Sequence, residues 1–213
     1  MELLFIRHAL PLRSQPGEGS DAELSALGYE MAQRLPAVLG RHAVVRIVSS
    51  PQRRALQTAG PLAHTLGLDI LIDDRFAEYD RDLPSYIPLE QLREEDPAQW
   101  SRISQGLLPD GVDEGAFRDR VRQAVGDLVA SATRDDVVAV VSHGGVINAV
   151  LHDYLGTARL FAFPLDYASV THLRISRSGV AGVVTVNGVE HVWDLLPSRR
   201  SVAGTASPVA DAT

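Results

Sequence analysis

The chain has 213 residues, 45% of them apolar, so it can bury a full core and is expected to fold as one domain. It has no cysteine, which excludes disulfides, thiolate metal sites and cysteine nucleophiles, and its formal net charge of −7 speaks against the broad cationic surface that nucleic-acid binding requires. No apolar stretch approaches the roughly 20 residues of a membrane helix, and no basic start leads into a long apolar region, so the expectation is a soluble cytoplasmic protein with no membrane partner.

Residues 3–6 form a short apolar run that reads as a buried strand and ends abruptly in Arg7 and His8. In open α/β sheets ligands bind beyond the carboxyl ends of the strands, so both side chains are presented to such a crevice. A loop with Pro16, Gly17 and Gly19 follows. Then Leu24, Leu27, Met31 and Leu35 recur at helical spacing, with Ser25 as N-cap and Gly40 as stop. A second β-branched strand over 43–48 leads into SSPQRRALQTA, where Ser50 and Pro51 suit a cap and a first turn. Arg53 and Arg54 then lie beside free N–H groups at a helix start, a natural anion site, although two adjacent arginines cannot share one helix face. A third run over 68–72 precedes a charge-dense segment holding Glu78 between Phe76 and Tyr79, whose rings could desolvate the carboxyl and raise its pKa towards general-acid use.

Residues 88–115 are broken by Pro97, Gly106, Pro109 and Gly111 around Trp100 and Ile103, and read as an insertion forming a lid or side wall. Phe117, Val121, Ala124, Val125 and Leu128 mark an amphipathic helix. The strongest strand, 137–141, is a β-branched run of the kind buried on both faces of a parallel sheet, and it ends in Ser142, His143, Gly144 and Gly145. The two glycines let the backbone turn sharply into a helix whose N–H groups can approach an anion. Residues 168–175 and 180–186 read as a late hairpin. The other histidines, His42, His64, His152, His172 and His191, have no such setting and are assigned to surface or core. The expected architecture is a three-layer α/β/α sandwich with a mostly parallel central sheet, a lid-like insertion at about 80–115 and a late antiparallel hairpin, all within residues 1–197. The small polar segment 198–213 is expected to be a disordered tail.

Three ordered motifs, Arg7-His8-Ala9, the segment Ser49, Ser50, Arg54, Ala55, Gln57, Thr58 and Ala59, and Ser142 to Gly145, resemble those of the histidine phosphatase superfamily, the phosphoglycerate mutase-like fold. The resemblance selects Arg54 over Arg53 and implies a catalytic set of His8, Glu78 and His143. His8 would be the nucleophile and Glu78 the general acid. Arg7, Arg54, a protonated His143 and Gly144 would hold the phosphate, without metal or cofactor. It further implies a small phosphorylated metabolite as the partner, and is compatible with a homodimer.

Three departures from the family pattern stand out: Ala9 in place of glycine, Leu10, Pro11 and Ser14 where mutases carry polar substrate contacts, and Tyr79-Asp80-Arg81-Asp82 after Glu78. They favour a phosphatase over a phosphoglycerate mutase, with a non-catalytic phosphate-binding module as the remaining alternative. Arg13, Ser14, Tyr79, Arg81, Tyr86 and Trp100 are the candidates for an outer pocket.

Overall fold

The computed structural model describes residues 1–14, 19–87, 89–176 and 178–197; the segment 198–213, expected to be a disordered tail, lies outside the described residues. Six strands, β1 (Glu2–Arg7), β2 (Arg46–Ser49), β3 (Ile70–Ile72), β4 (Val137–Ser142), β5 (Val170–Ile175) and β6 (Ala181–Gly188), form one sheet. Their order is β3-β2-β4-β1-β5-β6, with β3, β2, β4 and β1 parallel and β5 and β6 antiparallel to their neighbours. The mostly parallel sheet and the late hairpin are as expected.

The alternation of side chains along the two central strands divides the core into layers. Leu3 and Phe5 of β1, with Val138 and Val140 of β4, face a cluster that includes Phe117, Val121 and Val125 of α5 (Glu114–Ser131) and Ile147 and Leu151 of α6 (Gly144–Leu155). Leu4 and Ile6, with Val137, Ala139 and Val141, face Leu35 and Leu39 of α1 (Ala26–Leu39) and Ala55, Ala59 and Leu62 of α2 (Arg53–Leu66). Because both faces are covered, both strands can be apolar throughout, which is why their sequences show continuous runs. The inserted segment holds two short helices, α3 (Leu89–Glu95) and α4 (Pro97–Ser104). Among the described residues no helix is long and apolar enough to cross a membrane.

Gly40 is the C-cap of α1, as expected, and its right-handed backbone leads into one 3₁₀ turn, Gly40–His42. Two boundaries differ from expectation. The reversal comes at Ala43, with φ of 50°, so β2 starts at Arg46 and not at 43. Ser50 is not the cap of α2, which starts at Arg53 with Gln52 in the cap position; Ser50 Oγ instead accepts the Gln52 N–H at 3.3 Å and faces His143.

The start of α1 is docked against the loop that follows β1. Ser25 caps the helix through the Gly28 N–H at 3.0 Å and also donates, from Oγ and N–H, to the Leu10 carbonyl at 3.0 Å. Gly28 is required by this approach, since a Cβ there would lie 2.1 Å from the same oxygen. Gly28→Ala is expected to lower stability by about 1–3 kcal/mol, the usual cost of overpacking; an unchanged thermal midpoint would show that the contact does not constrain the Leu10 loop.

Candidate active site

The parallel run of β1, β2 and β4 brings their carboxyl ends to one edge of the sheet, and with them Arg7 and His8, Ser49 and Ser50, Ser142 and His143. His8 is almost fully buried, and its Nδ1 lies 2.8 Å from the Ala9 carbonyl. A carbonyl can only accept, so Nδ1 carries the proton and Nε2 keeps its lone pair. Burial, then the charges of Arg54 and Arg7, hold the His8 imidazole well below its ordinary pKa, which favours the neutral ring. Ala9, where the family has glycine, packs in the cluster of Leu24, Met31 and Tyr167, and its N–H donates to Thr58 Oγ1 at 2.9 Å. Its methyl is therefore absorbed by the core.

The cations are fixed from behind. Arg7 lies with its guanidinium 4.0 Å from the Tyr167 ring centre and donates to the Leu165 carbonyl. Arg54 is completely buried; it donates to the Ser20 carbonyl at 2.9 Å, and its Nη2 meets both oxygens of Asp80 at 2.9 Å. Burial works to lower the pKa of Arg54 and Asp80 more than offsets it. The Nε of Arg54 is buried without a hydrogen-bond partner among the described residues, a donor that a bound anion can satisfy. Arg53, by contrast, is half-exposed and pairs with Glu23, so only one of the adjacent arginines enters the site.

Glu78 follows a 3₁₀ turn, Asp74–Phe76, that Asp73 caps through the Arg75 N–H. Its oxygens accept the Gly145 N–H at 2.7 Å and the Tyr79 N–H at 3.1 Å, and its own N–H donates to Gln52 Oε1 at 2.7 Å. Burial, then the neighbouring Asp80 carboxylate, pushes its pKa up from 4.5 to about 7, with the two N–H groups and Arg54 opposing. A carboxyl poised there can both donate and accept a proton near neutrality. Neither Gly144 nor Gly145 has a positive φ, so the sharp-turn reason for the pair does not hold. Gly145 is required because a Cβ there would lie 2.3 Å from Glu78 Oε1; at Gly144 the nearest atom would be Arg7 Nε at 3.7 Å, an ordinary contact.

His143, whose ring centre is 5.1 Å from that of His8, is fully buried. Its protonation is expected in the role of holding phosphate; burial, then Arg54, His8 and Arg7, drive its pKa well below the ordinary value and so disfavour the charged ring. It can still donate. Ser50 Oγ, which accepts from Gln52, can give its own proton to His143 Nε2 at 2.7 Å, leaving an Nδ1–H that has no partner among the described residues.

Arg7, His8, Arg54, Glu78, Gly144, Tyr79, Tyr86 and Trp100 all line one cavity of about 870 Å³. Arg13, Ser14 and Arg81 do not, and neither does the fully buried His143, whose ring lies beside that of His8. Arg13 is drawn to Glu95, Arg81 lies 3.7 Å from Asp82 on the surface, and Ser14 accepts the Tyr86 N–H at 2.6 Å, holding that segment in place. Sequence reasoning missed Asp80 and Gln52, which join Arg54 to Glu78 through a bond of 2.9 Å from Gln52 Nε2 to Asp80 Oδ1. It also missed Asn148, whose amide bonds both N–H and carbonyl of Phe163 at 3.0 Å and so fixes the wall opposite the inserted helices. Away from this cavity, Glu2, His42 and His172 bring ligand-type atoms within 4.8 Å of one another at the start of β1, where Arg174 also bonds Glu2 at 3.0 Å.

Residues 3–187 match the model of the histidine phosphatase superfamily, branch 1. The chain belongs to this superfamily. It is 28% identical over 184 residues to a candidate phosphoserine phosphatase 2 of Hydrogenobacter thermophilus, covering 81% of this chain and 89% of that protein. It is 32% identical over 162 residues to the glucosyl-3-phosphoglycerate phosphatase of Mycolicibacterium vanbaalenii, covering 68% and 66%. Among solved structures, mycobacterial glucosyl-3-phosphoglycerate phosphatase in complex with VO3 superposes with a TM-score of 0.72 at 29% identity, covering 88% of this chain and 98% of that one. Some relatives are longer: the chain spans 53% of the length of the Mycobacterium tuberculosis bifunctional protein Rv2228c that it matches. By family and by the phosphatases among its relatives, the chain is a phosphomonoesterase of the phosphoglycerate mutase-like class.

The raised pKa of Glu78 has a thermodynamic signature. The native state holds this proton between about pH 4.5 and 7 while the unfolded chain has released it, so the stability that Glu78 contributes is complete below pH 4.5 and is lost as pH rises through about 7. Glu78→Gln removes the titration, so the thermal midpoint of this variant relative to the parent is expected to rise between pH 5 and pH 8. A constant offset across that range would remove the buried, raised carboxyl.

Proposed function

We propose that this phosphomonoesterase hydrolyses small phosphorylated metabolites through a phosphohistidine on His8. The observation that carries the reading is the tautomer of His8: its Nδ1 proton is committed to the Ala9 carbonyl, and the ring is held neutral beside two arginines. The Nε2 lone pair attacks phosphorus in line, forming an N–P bond as the ester P–O bond breaks. Glu78, still protonated in a large fraction of molecules near neutrality, gives its proton to the departing oxygen. The resulting carboxylate then takes a proton from water as that water attacks the phosphohistidine, which returns His8 and Glu78 to their starting states and releases phosphate.

Arg7, Arg54 and the Nδ1–H of His143 would hold the equatorial oxygens, by charge-assisted bonds that strengthen as charge spreads in the transition state. A bound phosphate dianion also offsets the two arginine charges that depress the His143 pKa, so the imidazole is more readily protonated once substrate is present. The mutase alternative needs the same chemistry but must return the phosphoryl group to a second hydroxyl before water reaches it, and nothing in the site favours that step.

His8→Ala is expected to lower phosphate release by at least about 10³-fold while retaining a cooperative melt, and to abolish labelling of the protein by a ³²P-phosphomonoester under alkaline quench. Persistent labelling would assign the intermediate elsewhere. Glu78→Gln is expected to slow alkyl esters far more than aryl esters, since only the former need a proton on the leaving oxygen, and to remove the fall in the parent's alkyl-ester rate above about pH 7. Equal losses on both classes would take Glu78 out of the general-acid role.

A further inference from the structure

We infer that the leaving groups this site is built for are bulky, uncharged and largely apolar, unlike a glycerate or a serine. The inference rests on the phosphohistidine reading above, and concerns the space in front of the phosphate.

The cavity of about 870 Å³ is far larger than a phosphate group, and its walls expose more apolar than polar surface. On one side the inserted helices contribute Leu92, Trp100 and Ile103; on the other the loop locked by Asn148 contributes Phe161 and Phe163. Helix α4 is instructive. It buries no residue in the core, yet its large apolar side chains, Trp100 and Ile103, line the cavity and are only partly exposed. An apolar stripe without a core partner is the expected form of a wall that an apolar ligand completes.

Charge points the same way. Beyond Arg7 and Arg54, the only cation among the described lining residues is Arg159, which is exposed, and the cavity also carries Asp96. The other nearby arginines are committed outside it: Arg13 to Glu95, Arg81 to Asp82, Arg102 to Asp110, and Arg120 to the carbonyls of Arg75 and Glu78. A substrate carboxylate in the cavity would lose water and gain, at most, one solvent-screened partner. An apolar group would lose only ordered water and gain a wall of rings.

The test uses esters of matched leaving-group reactivity. Along ethyl, butyl and hexyl phosphate, kcat/KM is expected to rise about two- to fourfold per methylene, the factor that follows from burying each group, and hexyl phosphate is expected to exceed both phosphoserine and 3-phosphoglycerate. Trp100→Ala should flatten that chain-length dependence. A flat series in the parent, or faster turnover of phosphoserine or 3-phosphoglycerate while His8 is labelled, would overturn the apolar-substrate inference and leave the phosphohistidine reading intact. No phosphate release from any of these esters, with no label on His8, would overturn both.

Discussion

The buried ion pair between Arg54 and Asp80 is the constraint from which the rest of the site follows. A guanidinium with no solvent exposure cannot exist without a counter-charge, and Asp80 supplies it with both oxygens at 2.9 Å. That pairing ties the first turn of α2 to the segment after β3. Gln52 extends it, donating to Asp80 and accepting from the backbone of Glu78, so Arg54 and Glu78 are held by one network. Burial raises the pKa of Glu78, and the same carboxylate that steadies Arg54 adds to the rise, which brings it to about 7.

Burial first, and then the two guanidinium groups, push both imidazoles well below their ordinary pKa; the Ala9 carbonyl sets the tautomer of His8, and Ser50 can set that of His143 by donating to its Nε2. One ring thus offers a lone pair and the other a donor. Charge enters with the substrate, and the positive environment that suppresses imidazolium in its absence is what the transferring phosphoryl group requires.

Legibility in the sequence follows from how local each feature is. Arg7, His8 and His143 interrupt or end apolar strands, and Arg54 lies in the first turn of a helix opened by a strand, so period and punctuation alone bring them to one edge. The layered core is equally legible, because the continuous apolar runs of β1 and β4 call for cover on both faces and the helical stripes of α1 and α5 supply it. Loop side chains carry no such period. Arg13 and Arg81 look like pocket cations in sequence, and their direction is decided by Glu95 and Asp82. Asp80 stands among several acids in Asp74 to Asp82, and what turns it inward is an arginine 26 positions earlier, a contact no local pattern encodes. The glycine at 145 was noticed for the wrong reason: its need is steric, set by a carboxylate 67 positions away.

The division between what was legible and what was not is also a division of labour within the cavity. Its floor is made of strand ends and helix starts whose backbone is clamped by the sheet, so the reacting groups are held by the most rigid part of the molecule. Its walls come from the inserted helices and the loop at 158–165: α4 buries no residue, while the loop is anchored in the core by Leu160 and Leu165 and by the bonds of Asn148 to Phe163. Substitutions on α4 change volume and polarity at little cost to the fold, whereas substitutions in the floor disturb a buried charge network. Chemistry and specificity are thereby placed on different elements. Helix α4, which buries no residue, can change its shape and polarity without disturbing the network that holds Arg54 and Glu78.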